Sequence, residues 1–193
     1  MYKLCVSEQS AQRQRELEAG LLSLMQTRRY EDISVSDLCD HLQIPRKSFY
    51  RYFSGKDGAL HALLDHTPME YPQTTMPDTP AGIQHSVEEY FRFWKGQKPL
   101  LDALHRSDLT TLLLHRAILL TVVNGSIAIW RTPEDDTITH EHMVIFTLSG
   151  LLSLVIQWHQ NGFRESIPRM AASASRLLTK PLFSTTAPPA GNK

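Results

Sequence analysis

Cysteine is scarce in this chain. Its 193 residues hold two, Cys5 and Cys39, and neither shows CxxC or Cys/His metal spacing. That excludes a disulfide framework and fits a reducing cytoplasm. Net charge is also missing, because 20 Lys and Arg balance 20 Asp and Glu. A chain-wide cationic surface for nucleic acid is therefore excluded, although a local one is not. Long apolar runs are absent too. The longest uncharged stretch starts at Met143, and its apolar core, Met143 to Ile156, is fourteen residues. That is short for a membrane span and suits a buried helix. The opening MYKLCVSEQSAQRQRE turns polar at once, so no secretory leader is read there and a cytoplasmic protein is expected. Strand-like alternation and internal repeats are lacking.

Catalytic signatures are lacking as well. There is no G-x-S-x-G elbow, Walker loop or dinucleotide fingerprint, so neither an enzyme nor a cofactor is expected. His140 and His142, two apart on a helix, point to different sides. Asp57, His61 and Asp65 share one helical face, and a solvated set is the expected reading there rather than a metal site.

What is present is helical. Leu17, Leu21, Leu24 and Met25 form one apolar stripe on a helix expected from Ser10 to Thr27. Ser34 has the character of an N-cap, with Asp37 as its capping-box acid. Val35, Leu38, Cys39 and Leu42 form the inward face of a second helix. Gln43 and Ile44 make a turn, and Pro45 fits the first position of a third helix. Phe49 and Phe53 point inward from that helix. Gly55-Lys56-Asp57 opens a fourth. Four prolines between Thr67 and Pro80 break the pattern. The expected division is therefore 1–66, a proline-rich linker at 67–80, a helical unit at 81–180 and a disordered tail at 181–193. In the second unit, Leu109 to Trp130 and Thr137 to Asn161 are apolar nearly all round, and Gly162 suits a helix C-terminus. The whole reads as all-α, with about nine helices.

Charge is distributed unevenly within the first unit. Residues 1–66 carry nine basic and nine acidic groups, yet Gln43 to Lys56 holds Arg46, Lys47, Arg51 and Lys56 with no acid. A helix pair with a tight turn and a local cationic face is the form that enters a DNA major groove. Charge alone leaves a solvated basic surface as an equal alternative.

Residues 10–66 resemble the DNA-binding domain of the TetR family of bacterial regulators. The resemblance is carried by RRYEDISVSDLCDHLQIPRKSFYRYFSGKDGAL, above all by SFYRYFSGK. It implies a three-helix helix-turn-helix domain followed by a helical ligand-binding and dimerisation domain. It also implies that Arg46 and Lys47 read base edges and that Ser34, Ser36, Ser48, Tyr50, Arg51 and Lys56 meet a base or phosphates. The implied protein is a homodimeric repressor that binds a palindrome in double-stranded DNA and is released by a small-molecule effector. The chain departs from the family pattern at four points. Leu42 stands for a small residue, Gln43 for Gly, Pro45 for a Ser/Thr cap, and Lys47 for a frequent Gly. A Gln in a left-handed turn costs about 1 kcal/mol relative to Gly.

The second unit offers candidates of two kinds. Phe91, Trp94, His115, Asn124, Trp130, Met143 and Phe146 are aromatic or polar groups in apolar helices and are candidates to line an effector pocket. Ser149, Gly150, Ser153, Trp158, Ala171, Ala174 and Leu178 are candidates for a dimer interface built as a four-helix bundle. Two other readings stay open. One is an activator, or a regulator controlled by a protein partner and lacking a true pocket. The other is an interaction protein that has lost DNA binding.

Overall fold

The computed structural model describes residues 1–71, 79–124 and 137–179, with backbone alone for 121–124 and 137–140. Among the described residues the protein is all-α, with nine helices. The first is α1 (Glu8–Met25), followed after a 3-10 turn at Tyr30–Asp32 by two short helices, α2 (Val35–His41) and α3 (Arg46–Phe49). α4 (Lys56–Met69) leads to α5 (Pro80–Gly96), α6 (Lys98–Arg106), α7 (Thr110–Asn124), α8 (Thr137–Gln160) and α9 (Ile167–Thr179).

Helix ends follow their caps. α1 begins two residues before the expected Ser10, because the Ser7 side chain accepts the Ser10 N–H at 3.3 Å. Pro45 is the N-cap of α3 rather than its first helical residue, since its ψ of 141° is extended. α4 continues through Thr67, Pro68 and Met69, three residues expected in the linker. Pro68 lies in the last turn, where little helix remains for it to break. Pro80, also expected in the linker, is instead the first residue of α5, capped by Thr79. Gly162, at φ 70°, ends α8 in the left-handed conformation expected of it. Residues 72–78, 125–136 and 180–193 lie outside the described residues, and with them most of the linker and the tail.

One apolar core runs the length of the molecule. At one end Leu17, Leu21, Phe49, Phe53 and Leu60 are buried among α1, α3 and α4. At the other, Phe91, Trp94, Leu152, Trp158 and Ala171 are buried where α5 packs on α9 and α7 on α8. By length and composition α8 would cross a membrane, but Val144, Leu151, Leu152, Val155 and Trp158 face this core. The stretch before α1 lies across the head. Tyr2 pairs with Phe53 as an isolated antiparallel bridge, and the Met1 carbonyl sits where a Cβ on Gly58 would fall.

Candidate nucleic-acid interface

The bend between α2 and α3 is built by local hydrogen bonds. Ser34 and Asp37 form a full capping box, the Ser34 hydroxyl accepting the Asp37 N–H at 3.1 Å and the Asp37 carboxylate accepting the Ser34 N–H at 2.8 Å. Arg28 donates to Asp37 at 2.8 Å, and this bond, followed by those from Ser34, holds the carboxyl well below the usual carboxylate range. α2 ends in a Schellman motif. Ile44 N–H reaches the Cys39 carbonyl at 2.9 Å, Gln43 N–H reaches Asp40 at 3.2 Å, and Gln43 takes φ 53°. Leu42 fits because α1 carries Gly20 opposite it, where a Cβ would come 2.7 Å from the leucine Cδ atoms. The bulk gained at one position is thus matched by a glycine on the facing helix.

Two aromatic anchors hold α3. Phe49 and Phe53 are fully buried, with their rings 5.2 Å apart. They fix which side of the short helix meets solvent. Arg46, Lys47, Tyr50 and Arg51 are exposed, while Ser48, Tyr52 and Ser36 are half-buried. Ser34 is exposed at the start of α2. The result is a rigid ridge with three free cations and a phenol along its outer side.

Lys56 is placed differently from the other basic residues. Its ammonium donates to the carbonyls of Tyr30 (2.9 Å), Glu31 (3.1 Å) and Ile33 (2.8 Å), and it lies 4.5 Å from the Tyr30 ring centroid. An ammonium has three donors, and all three are taken. This corrects the phosphate-contact role expected of its side chain. Lys56 instead ties the approach to α2 onto the start of α4.

The head is joined to the rest of the molecule through polar contacts at two places. Asp65 on α4 is completely buried. Arg116 on α7 grips it in a two-pronged pair, its Nε at 2.8 Å from Oδ1 and its Nη2 on Oδ2. The Tyr2 hydroxyl donates to the same carboxylate at 2.7 Å. Burial, and then that carboxylate, push the Tyr2 phenol up to about 12. A second joint lies at α6. Arg106 caps the end of α1 through the Met25 and Gln26 carbonyls, Ser107 accepts the Tyr30 N–H at 2.9 Å, and Arg29 pairs with Asp108 at 3.0 Å. The sequence placed Asp65 on a shared face with Asp57 and His61. Nothing in it pointed to a partner fifty-one residues away.

Neither a protein-family profile nor a curated protein sequence matches the chain. Solved structures do match. A dihydroxyacetone kinase operon activator, DhaS, superposes with a TM-score of 0.55 at 18% identity, covering 86% of this chain and 93% of its own. A TetR-family transcriptional regulator from Streptomyces coelicolor gives 0.55 at 21%, covering 84% and 79%. The chain has a TetR-type fold. The fatty acid degradation regulator FadR from Bacillus halodurans gives 0.50 at 13% identity, covering 86% and 93%.

Within this TetR-type fold the candidate pocket residues do not converge. Phe91 and Trp94 are sealed in the core, while His115 is exposed. Met143 and Phe146 are 43% and 71% exposed on the outside of α8. The side chain of Asn124 and all of Trp130 lie outside the described residues. A cavity between α7 and α8, beside Leu114, Ile118 and Ser149, measures about 10 Å³, which is no more than a water site.

The candidate interface residues divide in the same way. Ser149 and Leu178 are half-buried, and Gly150 and Ser153 are exposed. Trp158, Ala171 and Ala174 are buried in the chain's own core, Ala174 at the floor of the groove between α8 and α9. Trp158 stacks edge-on to Phe91 and Phe163, and its indole N–H donates to the Glu165 carbonyl. The exposed apolar face consists instead of Met143, Phe146 and Leu177, beside an open groove of about 230 Å³ between α8 and α9.

Proposed function

We propose that the protein is a homodimeric transcription regulator that binds a palindrome in double-stranded DNA, acting as a repressor released by a small-molecule effector. One observation carries this reading. Arg46, Lys47, Tyr50 and Arg51 are free and exposed on one ridge of a helix held rigid by Phe49, Phe53 and the Schellman turn. Arg46 and Lys47, at the leading end, read base edges, where Arg pairs with guanine through two bonds and Lys makes a point contact. Tyr50, Arg51, Ser48, Ser34 and Ser36 meet phosphates or a base at the rim.

Two recognition helices spaced one DNA turn apart need a rigid dimer. The exposed face of Met143, Phe146, Gly150 and Leu177 on α8 and α9 supplies a surface for it. The Asp65–Arg116 pair and the α6 joint couple the helices of that dimer to the head, so a ligand that prefers one dimer geometry changes the spacing of the heads. The division of labour follows: residues 1–66 read DNA, and residues 81–180 sense and dimerise.

Selection of bound duplexes from a random pool tests the proposal. The expected result is a palindrome, and recovery of no preferred sequence refutes it. A second reading, an activator or a regulator with a protein signal, is favoured by the dispersal of the candidate pocket residues and by the resemblance to DhaS, itself named as an activator. Reporter output that rises with the protein present, on the selected site, would choose it.

A further inference from the structure

A polar cleft of about 720 Å³ separates the first half of α1 from the exit of α3, and it is lined by Gln9, Gln12, Arg13, Glu16, Arg51 and Tyr52 among others. Gln9, Gln12 and Arg13 are exposed on one wall and Arg51 on the other. The stretch before α1 is pinned to both walls. Lys3 N–H donates to the Tyr52 carbonyl at 3.0 Å, and Gln14 on α1 donates to the Lys3 carbonyl at 3.1 Å. That leaves the Lys3 side chain exposed beside the rim. Arg13 and Arg51 thus line an open space whose one lining carboxylate, Glu16, is held by Arg13 at 2.5 Å.

A major groove is about 12 Å wide and is walled by two phosphate strands. In the reading above, α3 lies in that groove, and the serines at the start of α2 face one wall. The chain leaves α3 at Arg51 and opens directly into this cleft. We infer that the cleft is a second phosphate-binding wall, in which Arg13 and Lys3 join Arg51 on the sugar–phosphate backbone of duplex DNA, extending the footprint from α3 onto α1. The inference rests on the DNA-binding reading. A phosphodiester suits the lining: its anionic oxygens match the guanidinium forks, and the Gln9 and Gln12 amides add neutral donors. Glu16 parks Arg13 in the free protein, and an exposed pair of that kind is weak enough to be exchanged for a phosphate.

The test is binding of the full chain to a duplex selected from a random pool, followed by fluorescence anisotropy over a salt series. Arg13→Ala should lower affinity about fivefold and flatten the salt slope by about 1, with base preference unchanged. Glu16→Gln should tighten binding, and Gln12→Lys should tighten it and steepen the slope. If the wild type binds while Arg13→Ala and Gln12→Lys both keep its affinity and slope, the wall is refuted and the regulator reading stands. A wild type that binds no duplex overturns both.

Discussion

Both ends of the molecule bury aromatic and aliphatic side chains but present opposite surfaces. The head turns Phe49 and Phe53 inward and leaves Arg46, Lys47 and Arg51 in solvent. The helices α8 and α9 turn Trp158 and Ala171 inward and leave Phe146, Met143 and Leu177 in solvent. A cationic ridge is stable in water and is completed by an anionic partner. An apolar face of that size is not, and its natural cover is another apolar face. In the proposed reading the two ends meet chemically unlike partners, duplex DNA at one and a second copy of the chain at the other.

The largest effect is expected where the ends are joined. Arg116→Met leaves Asp65 a carboxylate in a fully buried site without its cation, the Tyr2 hydroxyl alone still donating to it. Losing one partner of a buried pair costs about 3–5 kcal/mol. Denaturant unfolding should show that loss as a lower midpoint, and an unchanged midpoint would mean the two ends are not held together there. Next comes the head's outer ridge. Removing both Arg46 and Lys47 as Ala should abolish site preference, since each good base contact is worth about 1–3 kcal/mol of discrimination. Circular dichroism and sedimentation should remain unchanged, because both side chains are exposed. Retained preference in a selected-duplex assay would remove the ridge from the interface. A matching change at the far end is Phe146→Glu. At 71% exposure the substitution spares the fold. It should convert dimers to monomers in sedimentation, and a surviving dimer would move the interface off α8.

The two ends were also unequally legible in the sequence. In the head the signals are local. Ser34 and Asp37 announce a cap, the Leu17–Met25 stripe gives a phase, and Phe49 and Phe53 mark the inward side of α3. What escaped was set by contacts distant in sequence. No pattern shows that Gly20 makes room for Leu42, or that the long Lys56 side chain ends on three carbonyls. In the second unit the difficulty is phase itself. α8 is apolar nearly all round, so composition cannot say which residues face inward. Trp158, a candidate for the interface, lies in the core, and Phe146, a candidate for an effector pocket, is exposed on the open groove between α8 and α9. Both placements depend on a rotation that composition leaves undetermined.

The smallest effect concerns a device that both ends share. α2 and α6 each end in a Schellman turn with a non-glycine residue in the left-handed region, Gln43 at φ 53° and Asp108 at φ 56°. An L side chain there costs about 1–2 kcal/mol. Glycine removes that strain but loses about 0.5–1 kcal/mol through its freer unfolded chain. At Gln43 the side chain is exposed and accounts for none of the turn's backbone bonds, so Gln43→Gly should gain about 0.5–1 kcal/mol. At Asp108 the carboxylate pairs with Arg29 at 3.0 Å and helps fasten the head to α6. An exposed pair is worth about 0–1 kcal/mol, enough to cancel the same gain, so Asp108→Gly should leave stability near its starting value. Denaturant midpoints of the two variants, measured side by side, separate the cases. Equal gains would show that the Arg29–Asp108 pair holds nothing, and no gain at Gln43 would show that the head's turn carries no strain to relieve.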